Sequence, residues 1–281
     1  MRPVRKIFPT YLREASTEGG QAERGAIHHA LIESLGNYCS YCEMPLSDYH
    51  IEHLRYLAEW PEALSISQWE DLLLICNDCR SNIRVPILNE LSANALLWPD
   101  RDLTFSLENS PLTYQLRKVN YVVINEEERI SEEVKELVFV SANPRAGDYL
   151  YQKAFNTIQH FQLNMKLEYY DEAAGELRVP LEVHQARADN RLFKRTTAWF
   201  DALEAVNRLK ELDATGESAA IRGVFVQQIA MTAWYSGNWS VWMTVFYEQT
   251  KDLELLRSAF AGNVHVFAGL NNDNDYLFSA E

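Results

Sequence analysis

Apolar residues recurring three and four positions apart mark the helices of this chain. In QAERGAIHHALIESLG (21–36), Ala26, Ile27, Ala30, Leu31 and Leu35 share one face, and Gly36 supplies a stop. The same spacing runs through GDYLYQKAFNTIQHFQLN (147–164). It returns in ADNRLFKRTTAWFDALEAVNRLKELDATG (188–216), a long amphipathic stretch with an Asp-Asn entry and a glycine exit. The aromatic-rich segment 221–262 predicts two buried helices broken near Ser236-Gly237-Asn238, with Trp234, Trp239, Trp242, Phe246 and Tyr247 as core.

Strand signals are weaker. LTFSLENSPLTYQLRKVNYVVINEEERIS (103–131) alternates enough to suggest strands, and YVVINEEERI and LVFVSANP read as short strands or strand-turn elements. The charge run NEEERISEEVKE (125–136) predicts a solvated face or turn. YHIEHLRY (49–56) alternates like a strand, and ISQWEDLLLICNDC (66–79) begins like a helix or buried turn. The fold class expected is α+β. Residues 1–36 form an N-terminal segment and helix, 37–90 a small module, and 91–281 a mainly helical region with a few short strands.

Composition narrows the functional classes. The 281 residues are 47% hydrophobic and 23% charged, ordinary for a globular chain long enough to bury a real core. No apolar run is long enough to span a bilayer, so no membrane partner is expected. The opening MRPVRKIFPTYLREAS lacks the apolar centre of a signal peptide, which predicts a cytoplasmic location. A formal net charge of −14 argues against simple electrostatic capture of nucleic acid. Work on a polyanion would need a local basic patch, a divalent metal or a partner with a positive surface.

The four cysteines carry the most specific signal in the chain. They fall as two CxxC pairs, Cys39/Cys42 and Cys76/Cys79, separated by 33 residues. Each tight turn offers two sulfurs, and two such turns suit a tetrahedral Zn²⁺ site. A closed four-thiolate site has no open coordination position, so this zinc is expected to be structural.

Between the pairs lies HIEH, which is not the HExxH of a zinc protease because its histidines are three apart. A histidine at a strand end beside a carboxylate can be oriented to take a proton from water, and the carboxylate can bind a hard cation. Elsewhere, His28 and His29 point to different faces of their helix, one exposed and one packed. His160, His184 and His265 carry no signal of their own.

Taken together, Cys39-x-x-Cys42, Glu52-His53, Trp69-Glu70-Asp71-Leu72 and Cys76-x-x-Cys79 resemble the HNH endonuclease family with its ββα-metal fold. The likeness covers roughly residues 37–85. It implies that His53 is the general base and that Glu52 is a ligand of a catalytic Mg²⁺ or Mn²⁺. It implies that Asp71 stands where the family's middle asparagine ties down the loop carrying the base. The family commonly has asparagine directly after the last cysteine, whereas CRSNIR has Arg80 there. Asn82 is then the expected second ligand of the divalent ion, with Asn77 and Asp78 as alternatives. Arg55, Arg80 and Arg84 are expected to contact flanking phosphates or to be ordinary surface arginines.

A second resemblance concerns FNTIQHFQLN, RADNRLFKRTTAWFDA and the opening MRPVRKIFP, which look like PtuB-like HNH proteins of the Septu and retron anti-phage systems. That likeness implies a defence effector working beside an ABC or SMC-like ATPase. A homodimer is also compatible with the aromatic-rich C-terminal part. The function expected is a metal-dependent endonuclease, with DNA favoured over RNA. The rival expectation is a catalytically inactive zinc-binding adaptor or nucleic-acid reader within a larger complex.

Overall fold

The structure is a computed structural model describing residues 1–4, 6, 8–12, 20–46, 49–53, 66–81, 94–124, 130–164, 169–171, 176–178 and 190–261. Helix α1 (Gly20–Leu35) ends at Gly36, whose φ of 74° is the left-handed conformation that closes a helix at low cost in glycine. Strand β1 (Tyr49–His53) pairs antiparallel with β2 (Leu72–Cys76), which follows a 3₁₀ turn at Ile66–Asp71. The short helix α2 (Asn77–Ser81) leaves β2 directly. Leu72 to Ile75 are all buried, as a continuous apolar run requires when both faces of a strand are covered, and α1 packs against β2.

A long hairpin follows. β3 (Leu112–Ile124) and β4 (Ile130–Ala142) are thirteen residues each, considerably longer than the short strands that their broken alternation suggests. The charged residues from Ser131 to Glu136 belong to β4, not to a turn. Two three-residue strands, β5 (Tyr169–Asp171) and β6 (Glu176–Arg178), complete an antiparallel sheet ordered β4-β3-β5-β6.

β4 is an edge strand, and the helices cover it. Helices α3 (Asp148–His160) and α4 (Arg191–Thr215) both pack on it. Thr196 of α4 accepts the Val138 N–H at 2.9 Å. Asn164, just beyond α3, accepts the Val140 N–H at 2.8 Å and donates to its carbonyl at 2.6 Å. Side chains thus satisfy backbone groups that would otherwise template further pairing.

α4 carries two more helices, α5 (Ala219–Ser236) and α6 (Trp239–Thr250), followed by the single turn α7 (Leu253–Leu256). The break falls at Gly237-Asn238, where the sequence predicts it. The two helices differ in burial, though. α6 buries Trp239, Trp242, Met243 and Phe246, whereas α5 leaves Ile221, Val224, Met231 and Tyr235 exposed, Tyr235 by 70%. Trp234 and Tyr247 are partly buried against the core. The mixed helices, the small two-stranded sheet and the helical C-terminal region make the chain α+β.

One hydrophobic cluster runs from Leu12 and α1 through the cysteines and β2 to α6 and Phe260. The cysteine-bearing module therefore shares its core with the helical region. Among the described residues no helix is long and apolar enough to cross a membrane.

Candidate functional site

Sequence separation hides how the two CxxC turns meet. Cys39 and Cys42 lie in the tight turn after α1, whose Cys39 carbonyl accepts the Glu43 N–H at 3.0 Å. Cys76 ends β2 and Cys79 sits in α2. Ser40 N–H donates to the Leu74 carbonyl at 2.8 Å and so lays the first turn along β2. The four sulfurs then come within 4.8 Å of one another, with Cys42 and Cys76 Sγ 3.6 Å apart. A tetrahedral zinc with bonds of about 2.3 Å would put sulfurs about 3.8 Å apart, so the donor set fits Zn²⁺. Cys39, Cys42 and Cys79 are buried and Cys76 is half-buried.

The electrostatics favour a cation there. Burial pushes the Cys42 and Cys79 thiols well up, and crowding by the other sulfurs adds to it in Cys42. Cys39 moves the other way: burial opposes it, but the bonds it accepts from its three neighbours outweigh that. Four thiolates at once need a metal to balance them.

The turn is anchored from behind. Glu43, at φ 61°, is buried directly after Cys42. Its carboxylate lies 3.2 Å from the Met1 ammonium and accepts the Ser240 N–H at 2.8 Å. Burial alone would raise the Glu43 carboxyl, yet these partners hold it below the usual range. Its carbonyl accepts the Asn238 N–H at 3.0 Å, and Tyr38 donates to the Trp234 carbonyl at 2.7 Å. The elbow between α5 and α6 therefore sits on the first cysteine turn. A Cβ on Gly237 would lie 2.4 Å from the Glu43 carbonyl oxygen.

At the opposite end of the β1–β2 hairpin, His53 pairs with Leu72 and Glu52 with Leu73. Asp71 immediately precedes Leu72, so the register brings the backbone of Glu52, His53 and Asp71 to one end. Asp71 is buried and accepts a hydrogen bond from Arg101 Nη2 at 3.0 Å. Arg101 also donates to the Glu70 carbonyl and lies 4.2 Å over the Trp98 ring. From the N-terminal segment, Lys6 reaches the Trp69 carbonyl at 2.9 Å and the Leu72 carbonyl at 3.2 Å, paired with Asp100 at 2.9 Å. Burial lowers the Lys6 ammonium's pKa, and Asp100 works against that.

Asp71 thus holds its loop by accepting from a guanidinium, where an asparagine could both accept and donate. Arg80 is half-buried in α2, with Asn77 exposed and Asp78 half-buried beside it. The strand that carries Glu52 and His53 is described, but their side chains are not. Arg55, Asn82 and Arg84 lie outside the described residues.

Sequence reasoning missed Lys6, Arg101 and Arg191 altogether. Lys6 and Arg101 had no local signal. Arg191 had one: the buried stripe of α4 at Ala198, Ala202, Val206 and Leu209, extended backwards at the same spacing, meets Arg195 and Arg191. No protein-family profile, curated protein or solved structure matches the chain.

Proposed function

We propose that the chain is a metal-dependent HNH-type endonuclease whose hairpin is stapled at one end by a four-cysteine zinc site. The observation that supports this reading most is the order strand, strand, helix. Glu52, His53 and Asp71 come to one end of the β1–β2 pair, and α2 leaves from the other. Residues eighteen or more positions apart in sequence meet there by register alone.

In this reading Glu52 and Asn82 hold a Mg²⁺ or Mn²⁺ ion, for which carboxylate and amide oxygens are suitable donors. When bound, such an ion polarises the phosphodiester and offsets charge on the leaving oxygen. His53 takes a proton from the attacking water. Asp71, fixed by Arg101, holds the chain beside the base without touching substrate. Arg55, Arg80 and Arg84 meet flanking phosphates. The acidic chain gains from a partner that brings substrate, and an ABC or SMC-like ATPase in an anti-phage system fits that need. DNA is the substrate favoured over RNA.

Plasmid nicking in Mg²⁺ or Mn²⁺ tests the reading, with wild type compared against His53→Ala in the presence of the partner ATPase. Nicking by wild type that falls at least a hundredfold in His53→Ala supports it. If wild type cuts neither DNA nor RNA, the enzyme reading fails. Arg80, standing where the family commonly has asparagine, then points to the non-catalytic adaptor.

A further inference from the structure

The four-cysteine cluster has a fifth close neighbour that comes from the helical region. Arg191, the first residue of α4, is 1% exposed. Its Nη1 donates to Cys79 Sγ at 3.2 Å and to the Phe161 carbonyl at 2.9 Å, and its Nη2 donates to the Gln162 carbonyl at 3.0 Å. The fork is thus aimed at one sulfur and two carbonyls in a fixed geometry.

Charge explains why a guanidinium belongs there. Burying an arginine is costly unless an anion faces it. A neutral thiol is a weak acceptor, whereas a metal-bound thiolate is a strong one. Zinc with four thiolates carries two net negative charges, and a guanidinium on one sulfur offsets half of that inside the core. The carbonyl partners point the same way. Phe161 also stacks its ring on Tyr41 at 3.8 Å, and Tyr41 lies between Cys39 and Cys42. One residue after α3 therefore touches the first cysteine turn through its ring and orients the cation on the second through its carbonyl.

We infer that Arg191 is a working part of the metal centre, a positioning residue that stabilises the Cys79 thiolate and couples metal occupancy to the seating of α4. The inference rests on the zinc reading and not on nuclease activity. Arg195 is the natural comparator. It lies one turn further along α4, is equally buried, and donates to the Leu163 carbonyl at 2.8 Å and to Asn164 Oδ1 at 3.1 Å.

The test uses the full chain loaded with Co²⁺ in place of zinc, as wild type, Arg191→Met, Arg191→Lys and Arg195→Met. Losing a hydrogen bond to a bound thiolate raises the energy of its lone pairs. The sulfur-to-cobalt charge-transfer band should therefore move to longer wavelength in Arg191→Met and stay put in Arg195→Met. Chelator competition for Zn²⁺ should show roughly 10–100-fold weaker binding in Arg191→Met. Arg191→Lys keeps the charge without the fork and should fall between; it also reads the effect should the methionine variant not fold. A band and an affinity unchanged in both Arg191 variants overturn the inference. So does a wild-type chain that binds neither Co²⁺ nor Zn²⁺, and that outcome removes the zinc reading too. Loss of nicking with the cobalt spectrum intact would bear on the nuclease proposal alone.

Discussion

Where Tyr49 pairs with Cys76, the β1–β2 hairpin runs into four clustered sulfurs backed by Glu43, Phe161 and Arg191. Where His53 pairs with Leu72, it runs into Asp71 and a loop gripped by Lys6 and Arg101. The first end is held by backbone hydrogen bonds and buried contacts around Glu43, Phe161 and Arg191 and, when loaded, by a metal. The second is held by two cations reaching in from residues 6 and 101, which bond mostly to backbone carbonyls. A metal staple fixes the separation of two chain segments but has no reach to the far end of a five-residue strand, about 14 Å away. That end needs its own fasteners. It also follows that Lys6, Arg101 and Arg191, among the chain's 26 lysines and arginines, serve structure and are not available to bind a polyanion.

Removing the metal should produce the largest effect, because it strikes the first end only. Stripping with a chelator, or Cys76→Ser, should cost at least about 5 kcal/mol, given the binding energies typical of structural zinc. Thermal melts with and without chelator measure this. A melting temperature indifferent to chelator in wild type would mean that no metal holds the first end.

Next in size is the backing of the first cysteine turn. Gly237 has φ 69° and ψ −155°, a region essentially confined to glycine. A Cβ there would also lie 2.7 Å from Pro45 Cδ. Gly237→Ala should destabilise by about 3 kcal/mol, combining backbone strain with overpacking against backbone that cannot yield. Denaturant unfolding reads it, and zinc affinity should fall with it because the turn that presents Cys39 and Cys42 must shift.

Acid sensitivity should also belong to the first end. His160 packs edge-on against Phe161 at 4.7 Å, and burial lowers its pKa to about 4. In the unfolded chain it titrates near 6.5. Between those values the unfolded state binds the extra proton, so stability is full above about 6.5 and declines as pH falls towards 4. The loss should be about 1–3 kcal/mol, and His160→Phe should remove that share of the acid slope while leaving stability at pH 8 nearly unchanged. A slope identical in both proteins would detach His160 from this end.

How much of this was legible in sequence follows the range of the interactions. The cysteine cluster could be read because two turn-sized spacings imply a shared metal. The helices could be read because Gly36, Gly216 and Gly237 punctuate clear periodicities. The β3–β4 hairpin is longer than its sequence pattern suggests, because its charged residues interrupt an alternation that pairing across the strands sustains. The joint between the ends was hidden for a different reason. Lys6 meets Leu72 across 66 positions with no local pattern to mark it, and the buried stripe of α4 marks Arg191 as inward-facing without naming Cys79, 112 positions away, as its partner.

The smallest change expected is also the one that probes the second end most closely. Asp71→Asn introduces the amide that the proposed HNH reading would have at this position, while keeping an oxygen to accept from Arg101 Nη2. Arg101 is about a third exposed, so water already screens the ion pair, and losing its charge component should cost only about 0.5–1 kcal/mol. If the proposed nuclease reading holds and Asp71 acts only by holding the loop, nicking by Asp71→Asn should stay within a few-fold of wild type, whereas Asp71→Ala loses the acceptor and should do worse on both measures. A large drop in nicking by the asparagine variant, without a matching drop in stability, would mean that the carboxylate charge itself enters the chemistry. The second end would then be a three-residue acidic and histidine site, and Arg101 would be tuning that charge as well as gripping the loop.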